Sequence, residues 1–290
     1  MNIDNALTQW LLEPDNPAVH YRTQTEILNK AAGKQPVIDW LNEKLPAGWR
    51  EQNGLWRTYY LTAIAECGLS IDDMRLDKDA ALLLHGGNGA VDNGCGDFMH
   101  LRALIRLGLG NEPLVKDALS SIPKRQLPDG GFLCLHRLDK LKYTPKSCVK
   151  ANMHALMLCA EGRKKGVELA FADGLLSYFW NHNIFYRTDH PDTLILPARE
   201  GWRTVDTFFP FEVMRVGLQN MVEALCALGF GNDPRLDEAW NLLENQRDES
   251  GKYLLKGTLT KAYLPKERIG KPSKWVTFYA LLAKKESEQA

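Results

Sequence analysis

The sequence predicts an all-α protein, a single α/α barrel spanning residues 1–290. Three observations predict it. A unit of helix, glycine turn and helix recurs at a fixed offset along the chain. Strongly apolar helices alternate with helices that are apolar on one side only. No run shows the two-residue alternation of a half-buried strand, since Tyr253–Lys256 is short and isolated.

Taken in order, a short amphipathic helix over Ile3–Leu12 precedes an apolar one over Pro17–Ala31, and Pro36–Leu45 is one-sided again. The next apolar helix runs from Trp56 to the Ala63-Ile64 step, followed by an amphipathic segment, Asp72–Leu84. Similar apolar segments lead from Gly96 to Ala103-Leu104, from Cys148 to Ala155-Leu156, from Gly217 to Ala224-Leu225 and from Ser273 to Ala280-Leu281. Between them lie Glu112–Arg125, Gly166–Trp180 and Asp233–Asn245, each with apolar residues at three- and four-residue spacing. That makes about six inner and six outer helices. Such hairpins close into a ring or stack into an open HEAT-like superhelix. Steps of 40, 52, 69 and 56 residues between successive Ala-Leu pairs argue against a uniform open array.

The echo is clearest where ALIRLGLGNEPLVKDAL, from Ala103, aligns with ALCALGFGNDPRLDEAW, from Ala224, at an offset of 121 residues. Gly108 and Gly110, like Gly229 and Gly231, are expected to supply the left-handed residue that ends a helix. Asn111 and Asn232 are expected to cap the next helix, whose first turn holds Pro113 or Pro234. Each copy then reaches a glutamine and a glycine-rich turn, QLPDGGF at Gln126–Phe132 and QRDESGKY at Gln246–Tyr253.

Lys plus Arg and Asp plus Glu balance at 36 each, so no net field draws nucleic acid or an anionic membrane. The opening MNIDNALTQWLLEPD lacks the basic and apolar regions of a signal peptide, and no run approaches the length of a spanning helix. The expected compartment is the cytoplasm. There the six cysteines stay reduced, as core residues, metal ligands or nucleophiles. Cys67, Cys159 and Cys226 follow Ala-Ile or Ala-Leu steps and are expected in the core.

The Gln-x-x-Asp-Gly-Gly turns after outer helices resemble the repeat signature of the α/α toroids, the superfamily of squalene and terpenoid cyclases and protein prenyltransferase β-subunits. QLPDGGF is the clear copy, and QRDESGKY departs by placing Ser250 at the first glycine. The closing GKPSKWVTFYALL, Gly270–Leu282, is similar to an uncharacterised squalene-cyclase-like prokaryotic branch of that superfamily. The resemblance implies a central aromatic-lined cavity that binds or transforms an apolar, isoprenoid-like molecule. The cyclase Asp-x-Asp-Asp acid motif is absent, and the nearest approach to Asp-Asp-x-x-Asp is DDMRLD, Asp72–Asp77, whose last aspartate stands one residue late. An acidic first helical turn explains that string. The zinc ligands of the prenyltransferases are not carried over, because Cys95-Gly96-Asp97 has the residue types in reversed order.

The cysteines have a pattern of their own. Cys95 and Cys148 each begin an apolar helix one hairpin apart, and Cys134 sits in the glycine-rich connection with His136 two residues on. In a toroid these helix starts open on one end of the ring, so three thiols and an imidazole can converge on zinc. The alternative is that they are structural or unpaired cysteines. The same rim is expected to carry Asp97, His100 and Asp206, and the inner wall Trp56, Tyr60, His154, Phe211, Arg215 and Trp275. Those aromatics either line a cavity or fill the ring solid. The stretch from His182 to Phe209 reads as an irregular connection of the kind used for lids and binding loops. GGNGAVDNGCG, Gly86–Gly96, lacks the features of a phosphate loop and reads as a hairpin connection.

Three functions stay open: an apolar-ligand protein or enzyme of the cyclase and prenyltransferase type; a non-catalytic binding or scaffold module, with or without a structural zinc; and a carbohydrate-active (α/α)6 barrel. The last needs paired carboxylates, for which Asp206 and Glu212 are the nearest candidates.

Overall fold

A computed structural model describes residues 5–52, 54–76, 94–134, 147–210, 215–258, 264 and 267–289. Among these residues the chain forms eleven α-helices, and its only β structure is isolated bridges. We number the helices α1 (Asn5–Leu11), α2 (Pro17–Arg22), α3 (Gln35–Lys44), α4 (Gly54–Glu66), α5 (Cys95–Leu104), α6 (Pro113–Ser121), α7 (Val149–Lys164), α8 (Ala172–Asn181), α9 (Leu218–Leu225), α10 (Asp237–Glu244) and α11 (Lys274–Ser287). The protein is all-α, as its sequence predicts.

The two kinds of helix are distinct in burial. Every residue of α9 is buried, and so is α11 from Lys274 to Ala283. In α3, α6 and α10 burial is confined to pairs one turn apart: Val37 and Leu41, Val115 and Leu119, Ala239 and Leu243. That spacing is one apolar stripe facing inward. The buried helices pack in the order α4 on α5, α5 on α7, α7 on α9, α9 on α11 and α11 on α2. One-sided helices lie against them, α3 on α2, α6 on α5, α8 on α7 and α10 on α9. The first helix, α1, packs on the last, α11.

The 121-residue echo is structural. Both α5 and α9 run into a π-turn, Ile105–Leu109 and Cys226–Phe230, and within each a glycine reverses hand: Gly108 at φ 98°, Gly229 at φ 90°. A side chain there would be strained, which is why glycine recurs. Gly110 and Gly231 are helical instead, so the expected pair of left-handed glycines reduces to one per copy. A Cβ on Gly231 would come within 2.4 Å of Ser287 Cβ, so close approach to α11 explains that residue. The caps also differ from expectation. Glu112 and Asp233 hold the N-cap positions, and Asp233 accepts from the Arg235 N–H, while Asn232 Nδ2 donates to the Ser287 carbonyl. The amphipathic segment expected at Asp72–Leu84 is a turn at Asp72–Arg75, and Asp77–Leu84 lies outside the described residues. No helix among the described residues is long and apolar enough to cross a membrane.

Candidate metal centre

Three connections lead into buried helices by one device. A polar side chain in the helix's first turn takes the backbone N–H of an aromatic residue from an earlier turn. Asn152 Oδ1 accepts from Phe132 N at 2.7 Å, Gln219 Oε1 from Phe208 N at 3.2 Å and Thr277 Oγ1 from Tyr253 N at 3.1 Å. In two of the three the aromatic carbonyl also receives the N–H of the residue that opens the helix: Cys148 N donates to Phe132 O, and Ser273 N to Tyr253 O. Cys148 and Ser273 are the N-caps of α7 and α11, so a cysteine stands where the echo has a serine.

QLPDGGF builds this corner on the cysteine side. Gln126 Nε2 donates to the carbonyls of Gly130 and Phe171, and Asp129 Oδ1 accepts from Gly131 N and Ser147 Oγ. The turn therefore fixes both Phe132, two residues before Cys134, and Ser147, one residue before Cys148. Phe98, Phe132 and Phe171 pack their rings beneath it, with centroids 5.0 to 6.4 Å apart. Gly94, at φ 69°, caps α5, and a Cβ there would lie 3.0 Å from Leu133 O and 3.2 Å from Cys134 Cα. That close approach carries Cys95 to the backbone of Cys134.

The result is a cluster of three sulfurs, those of Cys95, Cys134 and Cys148, all within 4.8 Å of one another. Cys95 is buried, whereas Cys134 and Cys148 are half-buried. The Cys148 thiol is lowered to about 6: the hydrogen bond from Cys95 favours its thiolate, and so do the N–H groups of Ala151 and Lys150 in the first turn of α7, against the opposing effect of burial. Cys95, hydrogen-bonded to Cys134 and to Cys148 and largely buried, is pushed far up. The cluster thus favours a thiolate at Cys148 and a protonated thiol at Cys95, whose proton a divalent ion would replace. Sulfurs around tetrahedral zinc stand about 3.8 Å apart, given zinc–sulfur bonds of about 2.3 Å, so the cluster needs only a small contraction. His136 lies outside the described residues.

Compared with family models, with curated proteins and with solved structures, the chain matches none.

A cavity of about 200 Å³ lies nearby, with Gly94 and Leu133, the chain neighbours of Cys95 and Cys134, in its wall, although none of the three cysteines lines it. Phe98, Leu101, Ile122 and Phe132 make most of the remainder apolar, and Asp97 and Arg125 supply its polar groups. Of the other residues expected at the rim or wall, His100 is buried with Nδ1 3.1 Å from Thr58 Oγ1, and His154 and Tyr60 are buried. Trp275 is fully buried against Phe278. Trp56 instead has 43% of its surface exposed, packed beside Tyr59. Asp206 is buried and locked to Arg203, whose main-chain N–H and guanidinium both bind it. A carboxylate so occupied is poorly placed for acid–base work on a sugar, and Glu212, with Phe211, lies outside the described residues. Arg215 is buried with its guanidinium 5.3 Å from the Trp202 ring. Cys67, Cys159 and Cys226 are buried in the core, and burial pushes all three thiols up.

One cluster has no counterpart in the sequence reading. Glu66, at the end of α4, is surrounded by Arg22 of α2, Arg102 of α5, Arg106 from the following π-turn and the Tyr279 hydroxyl of α11. Arg106 also reaches Glu161 of α7 at 3.3 Å, and Lys164 pairs with Glu223 and Glu286. The available signal was a charged residue in the last turns of several apolar helices, a position that ordinarily reads as a solvated helix end.

Proposed function

We propose that the protein is an α/α toroid of the cyclase and prenyltransferase kind that holds one thiophilic metal ion, zinc, on Cys95, Cys134 and Cys148, beside a cavity for a small apolar molecule. The observation that carries the reading is the approach of three sulfurs from three separate segments to within 4.8 Å. Three soft donors at this spacing suit a mononuclear site. The neighbour order α4–α5–α7–α9–α11–α2, with Arg22 of α2 bonded back to the Glu66 carbonyl, supports a closed ring over an open superhelix. Zinc on three thiolates would have a fourth position to fill, by His136, two residues on from Cys134, or by a ligand toward which it would act as a Lewis acid. Leu133 and Gly94, next in the chain to Cys134 and Cys95, also line the apolar cavity, so a small apolar molecule carrying one donor atom suits both features.

A second reading, in which the zinc is structural, is favoured by the burial of Cys95 and by the backbone bonds already joining these segments. Elemental analysis tests the metal itself. One zinc per chain is expected, lost when any of the three cysteines becomes serine. A protein that contains no metal as purified, and takes up none when titrated, would remove both readings. Chelation then separates them: a structural ion leaves an unfolded chain, whereas a site for a ligand leaves a folded one that no longer retains an apolar molecule in native mass spectrometry.

A further inference from the structure

Arg215 is 6% exposed, yet no acceptor among the described residues meets its guanidinium, and its Nε is wholly enclosed without a hydrogen-bond partner. The ring of Trp202 lies 5.3 Å from its central carbon. A buried guanidinium is ordinarily paired with a carboxylate, because leaving its charge uncompensated away from water is costly. Asp206, the carboxylate among the described residues whose charge acts on it, is already engaged through both oxygens by Arg203.

Among the described residues, two further donors from the same segments are also unmet. Asn220 is 1% exposed, its Oδ1 accepts from Gln219 Nε2, and its Nδ2 has no acceptor. Thr204 is fully buried with its hydroxyl unpaired. The backbone brings these segments together. The Leu218 N–H donates to Asp206 O, two residues past Thr204, and Gln219 is bonded to both the N–H and the carbonyl of Phe208. Trp202, two residues before Thr204, is the ring on which Arg215 lies. The positive end of α9 adds to the same field, with Gly217, which has no side chain to cap it, at its N-cap.

We propose that Arg215, Asn220 and Thr204 form a binding site for the oxyanion of a small molecule, a carboxylate or a phosphate. The guanidinium, beside the Trp202 ring, supplies charge and N–H donors, and the amide and hydroxyl supply further hydrogen bonds. The site is independent of the cysteine cluster and requires no metal.

The test is thermal unfolding of the full chain in Tris chloride, with inorganic phosphate or acetate replacing chloride at constant ionic strength. The natural protein should gain about 2–4 °C in Tm with the preferred anion, and which anion acts identifies the headgroup. Arg215→Met removes the charge while keeping an apolar chain on Trp202. It should melt no lower than the natural protein in chloride, and its Tm should not respond to either anion. Asn220→Ala, which leaves the charge in place, should weaken the response about tenfold in anion concentration. No response of the natural protein to either anion would overturn the proposal. So would an Arg215→Met protein that loses stability equally in all three solutions, or one that still responds. Should Arg215→Met fail to fold, an undiminished response in Asn220→Ala overturns it as well.

Discussion

Glu66 Oε1 lies 2.6 Å from Arg102 Nη2, with both side chains closed off from solvent. The same carboxylate faces Arg106 and Arg22 at 3.7 and 3.4 Å and accepts from the Tyr279 hydroxyl, sharing with Glu26 and Glu161 the compensation of these buried cations. Removing it strands charge in the core. Glu66→Gln should cost about 3–5 kcal/mol, whereas breaking the exposed Arg187–Asp189 pair with Asp189→Asn should leave stability nearly unchanged. Urea denaturation of the two variants checks the contrast.

The same residue sets an acid limit. Burial alone would raise the Glu66 carboxyl, but Arg102, Arg106 and Arg22 outweigh it and hold it down at about 2. An unfolded glutamate titrates near about 4.3, so between these values the unfolded chain binds the proton that the folded chain refuses. The stabilisation is therefore complete above about pH 5 and lost as pH falls towards 2, amounting to about 3 kcal/mol. Denaturation at pH 6 and pH 3 should show the natural protein losing more stability than Glu66→Gln, so that the gap between them narrows in acid.

Cys148 and Ser273 occupy one position in two copies of the same corner, and Ser273 Oγ caps its helix by accepting from Val276 N at 3.0 Å. Serine is therefore native to this geometry. Cys148→Ser should keep the fold, with a change of about 1 kcal/mol or less in the metal-free protein, because the hydroxyl caps α7 as Ser273 caps α11. Zinc binding should nevertheless fall by orders of magnitude, since a thiolate ligand is gone. Metal content and Tm in chelator, measured together, separate loss of the site from loss of the fold.

These contrasts also show what a sequence makes legible. The echo was readable because it is written in local chemistry: a glycine where the hand reverses, at Gly108 and Gly229, and proline opening the next helix, at Pro113 and Pro234. Gly110 and Gly231 look identical to their neighbours, but Gly231 is small because Ser287, 56 residues away, approaches it. Cys95 and Cys148 could be placed at helix starts, and the turn between them fixed where Cys134 comes back. Glu66 was not legible. Its importance depends on arginines from other helices, and nothing within its own turn distinguishes a buried acid from a solvated one. Trp56 and Trp275 begin similar apolar helices, yet one is exposed and the other is sealed in the core. That difference is set by which chains pass over them.

The two glycine turns give the last contrast. Gly130 and Gly251 share a left-handed backbone, at φ 84° and 80°, so alanine at either is strained by roughly 1–2 kcal/mol. Their surroundings differ. A Cβ on Gly130 would fall 2.0 Å from the carbonyl oxygen of Gly174, a backbone atom in α8 that cannot yield without moving the helix. On Gly251 it would meet the end of the Arg247 side chain at 2.7 Å, which can swing aside. Gly251→Ala should therefore cost little beyond the backbone strain, whereas Gly130→Ala should cost at least about 2 kcal/mol more. The second effect reaches the cysteines, because Gly130 anchors the turn that positions Phe132 and, beyond it, Cys134. Gly130→Ala should weaken zinc retention along with stability, and Gly251→Ala should leave the metal in place. Chemical denaturation and metal analysis of both variants test this; equal costs at the two glycines would show that the approach to Gly174 does not hold the turn.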